Sequence, residues 1–214
     1  MSKYLFAVFA MGMCFSAISA EKKWTPRESN EWFGIWTRER PVDLPWVKGC
    51  FVSIAWSELE PRPNEFDWNL FEKRLAAPAN MGQVAQLIVF VGPASPRWIY
   101  EAGVPEVHTT PTINPRGQPH GWTYPFYLDE DYIRYYHRMI RAVAERIDML
   151  PPKTRKALIS LQTAEGTTGD EGGYKGEPLD PRYALPNDKW VALKFETWQL
   201  FKDLYEKKEP KIHL

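Results

Sequence analysis

Three acids crowd one short loop: Glu165, Asp170 and Glu171 lie in residues 156–175, KALISLQTAEGTTGDEGGYK, just after the apolar run 158–163. Both faces of a parallel strand are buried and apolar, so ionisable groups collect at its exposed carboxyl end. Cleavage of a glycosidic bond asks for two carboxyl groups there. One is a proton donor of raised pKa, and the other is a nucleophile or a water-activating base. Glu165 follows Thr163-Ala164 directly, and Gly166 behind it lets the chain turn away, so Glu165 is the expected proton donor, facing an open bowl ringed by strand ends. Glu171 in the same loop is the alternative donor. Asp170 and Glu171 could instead contact substrate, remain solvated or hold a cation, as in a cation-dependent adhesion module.

The chain is rich in aromatics, with 10 Trp and 10 Tyr. Flat rings suit the apolar faces of sugars but are equally ordinary core material. Trp56 and Trp98 end or follow strands on the ligand side, so each is a candidate for sugar stacking against a reading as packing. Tyr174 and Trp122 are weaker candidates. Glu58 divides between cleft and solvent, and Glu60 is expected to hold its loop through hydrogen bonds. His108, His120, His137 and His213 show no metal-ligand spacing. Neither a G-x-S-x-G elbow nor a phosphate-cradling glycine loop is present, so no metal and no cofactor is expected. The balance of 27 basic and 27 acidic residues argues against a nucleic-acid or anionic-membrane partner.

The elements that must carry these residues alternate. Residues 32–37, 50–56, 84–91 and 158–163 read as strands, and 211–214 as the start of a fifth. Asp67 reads as the N-cap of a helix through Asn80, kinked or stopped early by Pro78 and ended by Gly82. Asp129 caps a second helix, with Tyr132, Tyr136, Met139, Ile140, Val143 and Ile147 at helical spacing. Asp188 is the expected cap of a third, whose buried face is Trp190, Leu193, Thr197, Leu200 and Leu204. Long helices alternating with apolar strands predict an α/β fold with a parallel sheet, in units whose length suits a (β/α) barrel. About four to five of eight units are present; a smaller open sheet is the competing reading. Two long connections, 57–67 and 92–128, follow strand ends, and the aromatics in the second predict order.

Residues 1–20 have the pattern of a secretory signal peptide: Lys3, an apolar stretch too short to span a membrane, then small residues. Residues 21–214 then form the folded part, in a secreted or periplasmic setting. They contain one cysteine, Cys50, which cannot form an internal disulfide and suits a small core position.

Trp56-Ser57-Glu58-Leu59-Glu60-Pro61 followed by Glu65-Phe66-Asp67-Trp68 resembles the second-strand signature of clan A glycoside hydrolases, which include family-42-type β-galactosidases and agarases. Ser95-Pro96-Arg97-Trp98 matches the turn after their third strand. The resemblance covers residues 32–214. It implies a retaining (β/α)8 barrel acting on an oligo- or polysaccharide, with the acid/base glutamate at the end of strand four, on Glu165. The clan usually has Asn before that glutamate; here the position is Ala164. The clan's nucleophile lies at the end of strand seven, so the expectation is that these residues are the N-terminal half of a barrel, a truncated form. A non-catalytic carbohydrate-binding remnant is the other expectation.

Overall fold

The computed structural model describes residues 34–113, 117–167 and 172–214. They fall in one unit, Gly34–Leu214. Its centre is a sheet of β1 (Ile35–Arg38), β2 (Val47–Ala55), β3 (Val84–Phe90) and β8 (Leu158–Gln162), paired in that order and all parallel. His213 joins the far side of β8 through a parallel bridge, with Leu161 N–H donating to the His213 carbonyl at 2.8 Å and His213 N–H to the Ile159 carbonyl at 2.9 Å. Each strand is thus added on the same side as the last. A doubly wound sheet reverses its order at a switch point; a barrel does not. The sheet is that of an incomplete (β/α) barrel, as expected, with residues 32 and 33 of the first expected strand outside the described residues.

Register sorts the two faces. Cys50, Val52 and Ile54 lie opposite Ala85, Leu87 and Val89, and all six are buried. This aliphatic face receives the helices. Phe51, Ser53 and Ala55 lie opposite Gln86, Ile88 and Phe90 on the other face, where Phe51 is 38% exposed. Strands of a closed parallel barrel are apolar on both sides. Here the inner side mixes rings with Ser53, Gln86 and Gln162.

The long helices are α2 (Trp68–Asn80), α4 (Glu130–Asp148) and α6 (Asn187–Tyr205). Asp67 Oδ1 accepts the Leu70 N–H at 2.8 Å, and Asp129 Oδ1 accepts those of Asp131 and Tyr132, so both expected caps are in place. Pro78 does not stop α2 early, against expectation. It falls in the last turn, where the missing N–H costs a single bond, and Gly82 at φ +70° turns the chain away. All six apolar positions expected on α4 are buried, each contributing roughly 1.5–3 kcal/mol by burial. In α6 the expected cap fails: the helix begins at Asn187 after Pro186, and Asp188 lies in its first turn. Its buried face continues from Thr197 through Phe201 and Tyr205 rather than Leu200 and Leu204. The two rings fill the space against Val89, Met139 and Leu161, and the leucines stay half-buried.

Short elements shape the connections. After β2 come α1 (Trp56–Leu59) and a turn; after β3 come α3 (Arg97–Glu101) and two antiparallel ribbons, β4 (Glu106–His108) with β7 (Thr123–Pro125), and β5 (Thr112–Ile113) with β6 (Pro119–His120). The sequence pattern missed these and also α5 (Pro152–Ala157).

One buried carboxylate ties the connections together. Glu60 is 0% exposed. Its Oε2 accepts the Trp56 indole N–H at 2.9 Å, and Oε1 accepts the Asn64 backbone N–H at 2.8 Å and the Arg138 guanidinium of α4. The Glu60 carbonyl accepts the Trp98 indole N–H at 3.0 Å. Glu60 therefore holds its loop, as expected. Removing one partner of a buried ion pair leaves the other charged and unpaired, at a cost of about 3–5 kcal/mol. Glu60→Ala is expected to lose about that much stability in urea titrations, and adding Arg138→Ala to cost far less than a second independent loss.

Candidate functional site

Glu165 stands just past β8, held by two helices. Its Oε1 accepts the indole N–H of Trp198 on α6 at 2.7 Å. The residue before it, Ala164, is fixed by the Tyr136 hydroxyl of α4, which donates to its carbonyl at 2.5 Å. Glu165 is only 4% exposed, so its carboxyl does not face the open bowl expected from sequence. Burial among aromatic rings raises its pKa above the ordinary carboxyl value. Hydrogen bonds from Thr163 and Trp198, its own backbone and the Lys194 charge work against that rise without cancelling it. A carboxyl in such a setting holds a proton at a pH where an exposed one has lost it, as a proton donor must.

The backbone around Glu165 is pressed against the loop after β3. Gly92 has φ +62°, and a Cβ there would lie 2.6 Å from the Tyr127 hydroxyl and 2.9 Å from the Gly166 carbonyl. Only glycine lets these loops approach so closely. Further along, Tyr124 Oη lies 3.4 Å from Thr167 Oγ1 and accepts the Lys175 N–H at 3.0 Å, while Thr110 N–H donates to the Glu177 carbonyl at 2.8 Å. The loop carrying Glu165 is stitched to the ribbons of the third loop.

Of the candidate stacking residues, Trp56 and Trp98 are corrected by burial. Trp56 is 0% exposed, with its N–H on Glu60 and its ring packed on Trp98, Tyr132 and Tyr136. Trp98 is 6% exposed, edge-on to Tyr135 and with the Arg138 guanidinium 5.4 Å from its ring centroid. Neither offers a face to a sugar. Glu58 accepts the Ala55 N–H and pairs through both oxygens with Arg74, whose hydrogen bonds hold its pKa below the usual carboxylate range. It borders a groove with Glu39, Arg40 and Ser53. Tyr174 has one ring face stacked on Tyr127, with centroids 5.2 Å apart, and burial pushes its phenol pKa up. Asp170 and Glu171 lie outside the described residues. His137 is buried between α4 and α6 with Nε2 3.1 Å from Thr197 Oγ1.

The open surface is elsewhere. A groove at the carboxyl ends of β1–β3 is lined by Arg38, Ala55, Phe90, Pro93 and Trp122, and it continues along the inner sheet face past Trp36, Phe51 and Gln162. Trp122 is half-buried, edge-on to His120, with Lys175 Nζ 5.7 Å from its ring centroid. It is the sequence-flagged tryptophan that this groove retains. Trp198 and Phe90 were missed. Trp198 carried no strand-end position, while Phe90 sat inside an apolar run with no sign of which face it would take.

The raised pKa of Glu165 has a stability signature. Below the ordinary value of 4.5, folded and unfolded chains both hold the proton and the buried group contributes fully. As pH rises through the higher folded-state value, the charged form is disfavoured and that contribution is lost. Glu165→Gln cannot ionise, so its melting temperature relative to the parent is expected to be higher at pH 8 than at pH 4, measured by scanning fluorimetry. A difference independent of pH contradicts the buried, proton-holding state.

No curated protein matches the chain. Among solved structures it is similar to endo-glycoceramidase II from Rhodococcus sp., seen as a lactosyl-enzyme intermediate (17% identity, TM-score 0.45) and with a cellobiose-like isofagomine (16%, 0.45). Each comparison covers 80% of this chain and 46% of that one. It is also similar to the AHE enzyme from Alicyclobacillus herbarius, at 14% identity and TM-score 0.35, over 55% of this chain and 20% of that one. The chain thus spans less than half the length of each. A family model for glycoside hydrolase 42, described as Beta-galactosidase, matches residues 40–165, more than half of the 214-residue chain. That span runs from the connection before β2 to Glu165 itself, and by it the chain belongs to the glycoside hydrolase 42 family.

Proposed function

We propose that this chain is the proton-donor portion of a secreted, retaining glycoside hydrolase, with Glu165 as its general acid and base. The observation that carries the reading is Glu165 itself: a carboxyl at the end of the fourth parallel strand, desolvated, with a raised pKa and a fixed hydrogen-bond partner. In the reaction its proton passes to the glycosidic oxygen as the bond from that oxygen to the anomeric carbon breaks. A second carboxylate, about 5–5.5 Å away, takes the anomeric carbon as an ester. The Glu165 carboxylate then accepts a proton from the water that cleaves the ester, and the starting state returns. Glu60 is unsuited to the second role, because both its oxygens are held by Trp56, Asn64 and Arg138. By the clan's pattern the nucleophile belongs to strand seven. The substrate is a galactoside, by the family's description, bound in the groove beside Trp122. The leader at residues 1–20 directs export.

With an aryl β-galactoside and the native protein, Glu165→Gln is expected to lower turnover about 10²–10⁴-fold; an unchanged rate removes Glu165 from the chemistry. Calorimetry with galacto-oligosaccharides tests the groove separately. Trp122→Ala is expected to weaken binding by on the order of 1 kcal/mol, or several-fold in Kd, with little change in melting temperature. Binding that depends on Trp122 in a protein without turnover is the result that favours a carbohydrate-binding remnant instead.

A further inference from the structure

Trp198 lies 33 residues beyond Glu165, on a different element, yet its indole N–H is 2.7 Å from Oε1. That donor is not free to wander. The adjoining face of α6 is locked into the core by Trp190, Leu193, Thr197, Phe201 and Tyr205. The Trp198 ring is packed edge-on by Phe195 at 5.4 Å between centroids, and Lys194 Nζ stands 5.7 Å from it. From the other side, Tyr136 grips the Ala164 carbonyl. Glu165 is thus held by α6 at its carboxyl and by α4 at the backbone just before it.

Among the described residues, the titratable and charged groups facing it are few. Lys194 comes from α6; Tyr132 and Tyr136 come from α4, and burial keeps both phenols protonated; Thr163 on its own segment supplies a hydroxyl. A carboxyl oxygen that accepts an N–H cannot easily carry the acidic proton as well, so a donor fixed on Oε1 places that proton on Oε2.

Resting on the reading of Glu165 as proton donor, we propose that Trp198 is its positioning residue: the indole N–H fixes Oε1 and so decides which oxygen carries the transferable proton. An N–H bound to the carboxylate also stabilises the charged form, restraining the rise that burial causes. Trp198 sets both the direction and the strength of the acid.

Trp198→Phe keeps a ring and removes the N–H; Trp198→Gln keeps an N–H and removes the ring. Glu165 is followed by carbon NMR of chain carrying ¹³C-carboxyl glutamate, with its signal assigned from Glu165→Gln. Trp198→Phe is expected to raise the Glu165 midpoint by roughly one pH unit, and Trp198→Gln to leave it near the parent value. An unmoved midpoint in Trp198→Phe, or equal midpoints in the two variants, overturns the proposal whether or not the protein turns over substrate. The pH–rate profile on an aryl galactoside tests the underlying reading separately. Its basic limb is expected to rise by the same amount, because the donor must be protonated to act. A moved NMR midpoint with a stationary basic limb leaves Trp198 as the partner that tunes Glu165 and removes Glu165 as the donor.

Discussion

A carboxylate with no access to water must be met by charge and hydrogen bonds, and in this protein Glu60 is met by four groups from three parts of the chain. Trp56 and Asn64 come from its own loop, Arg138 from α4, and the Trp98 indole closes on its carbonyl from the loop after β3. Since an isolated buried charge is far more costly than any one of these contacts is favourable, they form together or not at all. The consequence reaches beyond the loop. Trp56, held by Glu60, packs on Tyr132 and Tyr136, and Tyr136 in turn sets the carbonyl just before Glu165. One satisfied carboxylate thereby fixes the neighbourhood of the other.

The two glutamates show how environment divides labour between identical side chains. Glu60 has a cation in contact and every oxygen occupied. Glu165 is met by a neutral donor, Trp198, with Lys194 acting only through space. Burial without a contacting counter-charge raises the Glu165 pKa. The first arrangement anchors a fold, and the second favours the protonated carboxyl.

Local features of the sequence were the most legible. Asp67 and Asp129 cap their helices because a cap is a contact with residues two or three positions on, visible in a short window. The parallel strands and the α4 stripe follow from apolar runs and spacing. Direction was harder. A tryptophan at a strand end can point into the bowl or into the helix layer, and Trp56 and Trp98 took the inward course because Glu60 needed their N–H groups. Tertiary packing decided the α6 face, where Phe201 and Tyr205 outreach the leucines beside them. The ribbons after β3 had no period to read, being built from prolines, glycines and isolated rings.

Glu165 is buried, and its segment is held against the loop that forms the groove wall. The segment that carries it lies against the loop after β3, with Gly92 and Gly166 in near contact. From that border the third loop extends as ribbons to Trp122, and Lys175, seated on the Tyr124 hydroxyl, approaches the same ring. Glu165 and the aromatic wall of the groove are therefore parts of one stitched pair of loops. Glu165 thus has two supports, the ribbons on the groove side of its loop and Trp198 on the helix side. Sequence reading found the first support as an aromatic-rich loop. The second depends on a helix face visible only once α6 is packed.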